Sequence, residues 1–220
     1  MYEELLDAVA VNDAERVESL LQGGTSADPD GAAETTALYA ASAGGRVAIV
    51  RALLAHGADP NRISGGEEEG LPLCAAAAWD HVEVLEALLS AGAAPAGREG
   101  QGWTALLWAA SNGQDDALQT LLKAGADPED ANDDGETALT LAVRRGALGA
   151  VRALLGHGAD PSRPDGEGDT PLAIAYDWLG TQLESALLEQ VTEQAPDGSQ
   201  FVVGRTRAKD GTDLVTVVAV

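Results

Sequence analysis

Histidine and cysteine side chains commonly bind metals or take part in catalysis, and this 220-residue chain has four of them: His56, His81, His157 and Cys74. A zinc site needs several such ligands at short spacing, and a cysteine nucleophile needs a histidine close by. None of the four has a partner at ligand spacing, and the chain lacks a glycine-rich phosphate-binding loop. We therefore predict no metal, no cofactor and no catalytic residue, and we expect a protein that is not an enzyme.

Residues 102–128 indicate the kind of helices and turns from which the fold is built. Thr104 is suited to cap a short helix that Gly113 ends, and Gly125 ends a second short helix in a position suited to a left-handed cap. Leucines and alanines recur at helical spacing in both. Neither helix is long enough to be stable alone in water. The unit must therefore bury its apolar face against a copy of itself.

The same unit recurs about every 33 residues along the chain. Its opening motif has the copies Thr36-Ala37-Leu38, Leu71-Pro72-Leu73, Thr104-Ala105-Leu106, Thr137-Ala138-Leu139 and Thr170-Pro171-Leu172. Its closing glycines are Gly24, Gly57, Gly92, Gly125 and Gly158. This pattern resembles the ankyrin repeat.

The resemblance implies an all-α fold, an ankyrin-repeat solenoid of stacked helix-turn-helix units. We expect it to span residues 1–189, with about six repeats. Their expected bounds are 1–27, 35–61, 70–96, 102–128, 135–161 and 168–189. In the resembling family a histidine commonly follows the opening leucine and connects neighbouring repeats by hydrogen bonds. None is present at that place here, so we expect fewer polar contacts between repeats.

Residues 190–220 have a different pattern. The runs 201–203 and 214–218 are rich in β-branched residues, and Lys209-Asp210-Gly211-Thr212 between them is typical of a turn. We predict a short C-terminal β-hairpin. An isolated hairpin is marginal in water, so it should dock on the last repeat or pair with another chain.

The net charge of the chain limits the kinds of partner that it can bind. Acidic residues number 36 and basic residues 13, for a net charge of −23. Such a chain should repel nucleic acid and anionic membranes and attract a cationic protein surface. Acidity that serves only solubility is the alternative. The single cysteine and the acidic N-terminus favour a cytoplasmic location, and the composition rich in Ala, Gly and Asp is typical of a bacterial protein.

In the resembling family the binding surface is generally concave and is built from the first helices and the turn tips. On this surface we select positions that packing does not require to be apolar. Trp and Arg at such positions favour a binding role. The selected positions are Trp79, Trp103, Asn112, Glu136, Arg144, Arg145, Asp177 and Trp178. The acidic tips add Glu67, Glu68, Glu69, Asp133 and Asp134. Trp108, one residue after the family's histidine position, is expected to serve packing.

These positions predict a non-enzymatic module that binds a protein partner with a basic surface in the concave groove. A neutralising or immunity protein for a cationic toxin is one form of this hypothesis. An adaptor or regulator that self-associates through the C-terminal hairpin is the alternative, and an enzyme built on the repeats is the third class. We expect a monomer.

Overall fold

The computed structural model describes residues 1–29, 31, 35–65, 70–178, 201–207 and 213–219. Within them the helices are α1 (Tyr2–Ala10), α2 (Ala14–Gln22), α3 (Ala37–Ala43), α4 (Val47–Ala55), α5 (Pro72–Ala78), α6 (Val82–Ser90), α7 (Ala105–Asn112), α8 (Asp115–Lys123), α9 (Ala138–Arg145), α10 (Leu148–Gly156) and α11 (Pro171–Trp178). A 3-10 turn covers Gly100–Gly102.

The threonines of the opening motif begin the first helices of their repeats. The hydroxyl oxygen of Thr36 accepts a hydrogen bond from the backbone N–H of Tyr39 at 3.1 Å, and Thr104 and Thr137 cap α7 and α9 in the same way. Before α5, Leu71 stands in place of threonine and Pro72 occupies the first helical turn, where its missing N–H has no cost. The predicted capping role of Thr104 is thus confirmed.

The closing glycines all adopt a left-handed backbone. Their φ angles lie between 87° and 92° at Gly24, Gly57, Gly92, Gly125 and Gly158. A Cβ added at any of these five positions would meet no atom within 4 Å. The backbone angle, and not lack of space, therefore requires glycine here.

The helices form two layers. The first helices α1, α3, α5, α7, α9 and α11 contact one another in sequence, and the second helices α2, α4, α6, α8 and α10 form the other layer. The opening leucines of the repeats are buried between the layers, among them Leu38, Leu106 and Leu139. The predicted all-α solenoid of helix-turn-helix units is confirmed. The repeat bounds and the division at residue 189 stay predictions, since residues 179–200 lie outside the described part of the chain.

Polar contacts connect the repeats, and one recurring set of them comes from a position other than that of the family's histidine. A side chain at the start of a second helix donates to the last turn of the preceding repeat's first helix. The pairs are Arg46 Nη2 with the carbonyl oxygen of Ala10 (3.0 Å), His81 Nε2 with that of Ala43 (3.1 Å) and Gln114 Nε2 with that of Ala78 (3.1 Å). Each bond satisfies a helix-end carbonyl that has no partner within its own helix.

Two strands follow the solenoid in sequence, β1 (Phe201–Arg207) and β2 (Asp213–Ala219). They pair antiparallel, with Phe201 opposite Ala219 and Arg207 opposite Asp213. The connecting residues 208–212 lie outside the described residues. The hairpin itself, and its place relative to the solenoid, stay predictions.

Among the described residues, no helix has both the length and the hydropathy that crossing a membrane requires.

Candidate protein-binding groove

A groove of about 530 Å³ lies on the layer of first helices. Side chains from α3, α5, α7 and α9, from the loop before α7 and from the turns after α5 and α7 line it. They are Tyr39, Cys74, Ala75, Ala78, Trp79, Glu99, Trp108, Asn112, Gln114 and Arg145. Four repeats thus contribute to one cavity, because helices at equivalent places in stacked repeats lie side by side.

Trp79 is the exposed aromatic residue of this groove. It follows the last residue of α5, and 66 % of it is accessible to solvent. Asn112 and Arg145 occupy the equivalent places at the ends of α7 and α9. Asn112 is half-buried and its Nδ2 donates to the carbonyl oxygen of Ala78 at 3.3 Å, whereas Arg145 is exposed.

Two further tryptophans support the groove wall. The ring centroids of Trp103 and Trp108 are 4.5 Å apart with an angle of 36° between the ring planes, a separation at which aromatic rings interact. Both rings are half-buried and pack on the core. Trp108 lines the groove, whereas Trp103 is not part of its lining. Trp108 therefore serves packing, as expected, and also offers a surface to a ligand.

Glu99 places a carboxylate in the groove. Its Oε2 accepts a hydrogen bond from the backbone N–H of Leu71 at 2.9 Å, and its Oε1 accepts one from Trp108 Nε1. A backbone bond from the N–H of Glu99 to the carbonyl oxygen of Trp103 holds the loop in place at 2.9 Å. The carboxylate thus links the start of α5 to the indole on α7.

Cys74 lies beneath this carboxylate. Burial raises the pKa of the Cys74 thiol well above its ordinary value, and the negative charge of Glu99 and a hydrogen bond to it add to the rise. The thiol stays protonated near neutral pH. It therefore offers no thiolate for nucleophilic attack, which needs a lowered pKa.

The two neighbouring arginines on α9 have different surroundings. Arg144 pairs with Glu136 and, at 2.8 Å, with Asp165, whose side chain is only 1 % exposed. Glu136 also accepts a hydrogen bond from Asn132 Nδ2 at 2.9 Å. Arg144 and Glu136 therefore connect loops of adjacent repeats. Arg145 makes no ion pair with the residues that the structure describes, and its charge faces the groove.

The acidic tips surround a second hollow, lined by Asp133, Asp134, Glu136, Arg144, Asp165, Gly166 and Glu167. Asp133 and Asp134 are exposed there. Glu67, Glu68 and Glu69 lie outside the described residues, as do the side chains of Asp177 and Trp178 on α11. Across the described ranges no group of three or more His, Cys, Asp or Glu side chains has the arrangement of a metal site.

Sequence reasoning missed Tyr39 and Glu99 as groove residues. Tyr39 occupies the place where the resembling family has histidine, and the sequence analysis considered that place for contacts between repeats and not for ligand binding. Glu99 lies in a connecting loop outside the expected repeat bounds, so its contact with α5 and α7 had no signal in the repeat pattern. In the sequence, the two closely spaced tryptophans Trp103 and Trp108 were the signal that could have indicated a closely packed loop.

Comparison with known families agrees with the architecture. The family model described as "Ankyrin repeats (3 copies)" matches residues 5–99, 65–132 and 106–190. A search of curated proteins found no match. Because the matched segments cover most of the chain and coincide with the stacked helix pairs, the chain belongs to the ankyrin-repeat family.

Proposed function

We propose that this protein is a non-enzymatic module that holds a partner protein with a basic surface in the groove around Trp79. Ankyrin repeats are generally protein–protein interaction modules. The observation that carries the proposal is the exposure of Trp79, which is 66 % accessible at the edge of a groove of about 530 Å³. Covering a large aromatic side chain releases ordered water and commonly dominates binding energy.

Charge supports a basic partner. The chain carries a net charge of −23, and the tip residues Asp133 and Asp134 are exposed. Opposite charges on a partner would speed the encounter by electrostatic steering. A protein that neutralises a cationic partner would have these properties.

Affinity capture from a lysate of the source cells tests the proposal. We expect the wild-type protein to retain a basic protein, and Trp79→Ala to lose it, because truncation of such a residue costs about 2 kcal/mol or more of binding free energy. Trp79→Ala should keep the urea midpoint of the wild type, since the side chain contributes little to the core.

The two exposed arginines Arg145 and Arg51 provide a matched control. Arg145 lies in the groove, whereas Arg51 lies on α4 in the layer of second helices. Because the proposed partner is basic, Arg145→Ala removes a repulsive charge from the groove and should strengthen capture, whereas Arg51→Ala should leave capture unchanged. Equal capture by all of these variants would place the interface outside the groove, and the proposal would fail.

A further inference from the structure

Glu99 differs from three carboxylates of the connecting loops that pair with arginines. Asp130 pairs with Arg98 at 2.7 Å, Glu129 pairs with Arg163 at 2.9 Å, and Asp165 pairs with Arg144. Glu99 is half-buried, yet its identified hydrogen-bond donors are all neutral, and none of the ion pairs among the described residues includes it. Glu99 therefore places in the groove a negative charge that no ion pair with a described basic side chain balances.

A half-buried carboxylate has lost part of its hydration, and without a cation beside it no ion pair offsets that loss. It keeps capacity for another donor, because a carboxylate accepts about four hydrogen bonds and the identified donors to Glu99 are the N–H groups of Leu71 and Trp108 and the Cys74 thiol. A cation that enters the groove would gain charge-assisted hydrogen bonds at this site. The groove thus favours a ligand with a positively charged donor group.

Aromatic rings shape the path to this carboxylate. Glu99 contacts Leu71 at the start of α5, and Trp79 follows the end of that helix. Trp108 and Tyr39 line the groove as well. Aliphatic stems pack on such rings, and cations are attracted to their faces. A long side chain that enters past Trp79 would therefore lie along an aromatic wall.

Arg145 does not block this arrangement. Its Cγ lies beside Gly113, where α7 ends, whereas Glu99 contacts Trp108 earlier on that helix and Leu71 at the start of α5. The positive and negative groups of the groove thus lie at different ends.

We propose that the groove receives an arginine or lysine side chain of the partner, with its cationic head on Glu99 and its stem against Trp79 and Trp108. This inference rests on the proposed function and names the chemistry that the groove recognises. Glu99 would then act as the specificity determinant, and Trp79 as the main contact surface.

NMR of the ¹⁵N-labelled protein tests the inference with small probes. The Trp108 indole N–H resonance reports on the site, because that N–H donates to Glu99. The probes are N-acetyl-arginine amide and its neutral analogue N-acetyl-citrulline amide, at constant ionic strength. We expect arginine amide to shift the resonance saturably and citrulline amide to bind about tenfold more weakly. Equal shifts, or no shift with either, would overturn the inference.

Replacement of the carboxylate provides the second arm. Glu99→Gln should abolish the preference for arginine amide over citrulline amide, whereas Glu86→Gln on the exposed face of α6 should keep it. A preference that survives Glu99→Gln contradicts the inference. Since the two probes are compared on the wild-type protein, the test holds even where Glu99→Gln disturbs the loop.

The capture experiment distinguishes failure of this inference from failure of the proposed function. A partner that Trp79→Ala loses but Glu99→Gln retains would leave the groove as the interface and exclude a cation at Glu99. A partner that both variants retain would contradict the proposed function as well.

Discussion

At the scale of single residues, the surroundings of Cys74 determine the pKa and the reactivity of its thiol. The pKa of Cys74 is raised, first by burial and then by Glu99. We predict that iodoacetamide modifies native Cys74 at least about a hundredfold more slowly than the urea-unfolded chain at the same pH, because the thiolate is the reacting form. Mass spectrometry of timed samples measures both rates. Similar rates in the two states would contradict the burial of the thiol.

The same shift sets the direction of the pH dependence. The folded thiol keeps its proton above its ordinary pKa of 9.0, where the unfolded thiol loses it. The unfolded state therefore binds fewer protons in that range, and the free energy of unfolding falls as the pH rises above 9.0. In Cys74→Ser, which carries no ionisable thiol, this part of the alkaline loss should be absent.

The residues of the groove were only partly predictable from sequence. Trp79 and Arg145 could be predicted because both lie at the end of a first helix, at the same place in their repeats. Glu99 could not, because its role depends on a loop that folds back onto α5 and α7. A contact of this kind follows from tertiary structure and leaves no period in the sequence.

At the scale of elements, Arg144 stabilises the contact between the loops on either side of α9 and α10. It pairs with Asp165, whose carboxylate is nearly inaccessible. We predict that Arg144→Ala lowers the free energy of unfolding by about 2 kcal/mol, because it leaves a buried charge without its cation. Urea denaturation followed by circular dichroism measures the loss.

Arg145→Ala is the matched control for this prediction. The two arginines are adjacent on the same helix end and both are exposed. Since Arg145 forms no ion pair with described residues, its removal should change the free energy of unfolding by less than about 0.5 kcal/mol. Equal losses in the two variants would show that the ion pairs of Arg144 add nothing to stability.

The polar contacts between repeats have a gap at Ala147. Arg46, His81 and Gln114 occupy the equivalent position in earlier repeats and donate to the preceding repeat. Ala147 begins α10 without a donor. We predict that Ala147→Gln raises the free energy of unfolding by about 0.5–1 kcal/mol through a new bond to the carbonyl oxygen of Ser111.

A variant without a donor separates this bond from simple packing. Ala147→Met adds a side chain of similar length but no N–H, so urea denaturation should show no comparable gain. If the methionine variant gained as much as the glutamine variant, apolar contact would explain the effect and the hydrogen bond would not.

The elements themselves were well predicted, and the reason is local. Threonine caps and glycines with positive φ act within a few residues, so their positions mark helix ends in the sequence. The polar contacts between repeats were not anticipated, because they join residues about 35 positions apart and use arginine, histidine and glutamine interchangeably. No single residue type marks that position.

At the scale of the whole molecule, the net charge of −23 opposes the compact state through self-repulsion. The Debye length falls from about 30 Å in about 0.01 M salt to about 8 Å at about 0.15 M. Screening over this range weakens repulsion between distant carboxylates more than it weakens close pairs such as Arg144 with Asp165 or Arg98 with Asp130. We therefore predict that the urea midpoint rises with sodium chloride, and that potassium chloride raises it equally. A midpoint that falls would show that close ion pairs outweigh the long-range repulsion, and a rise with only one salt would indicate binding of a specific ion.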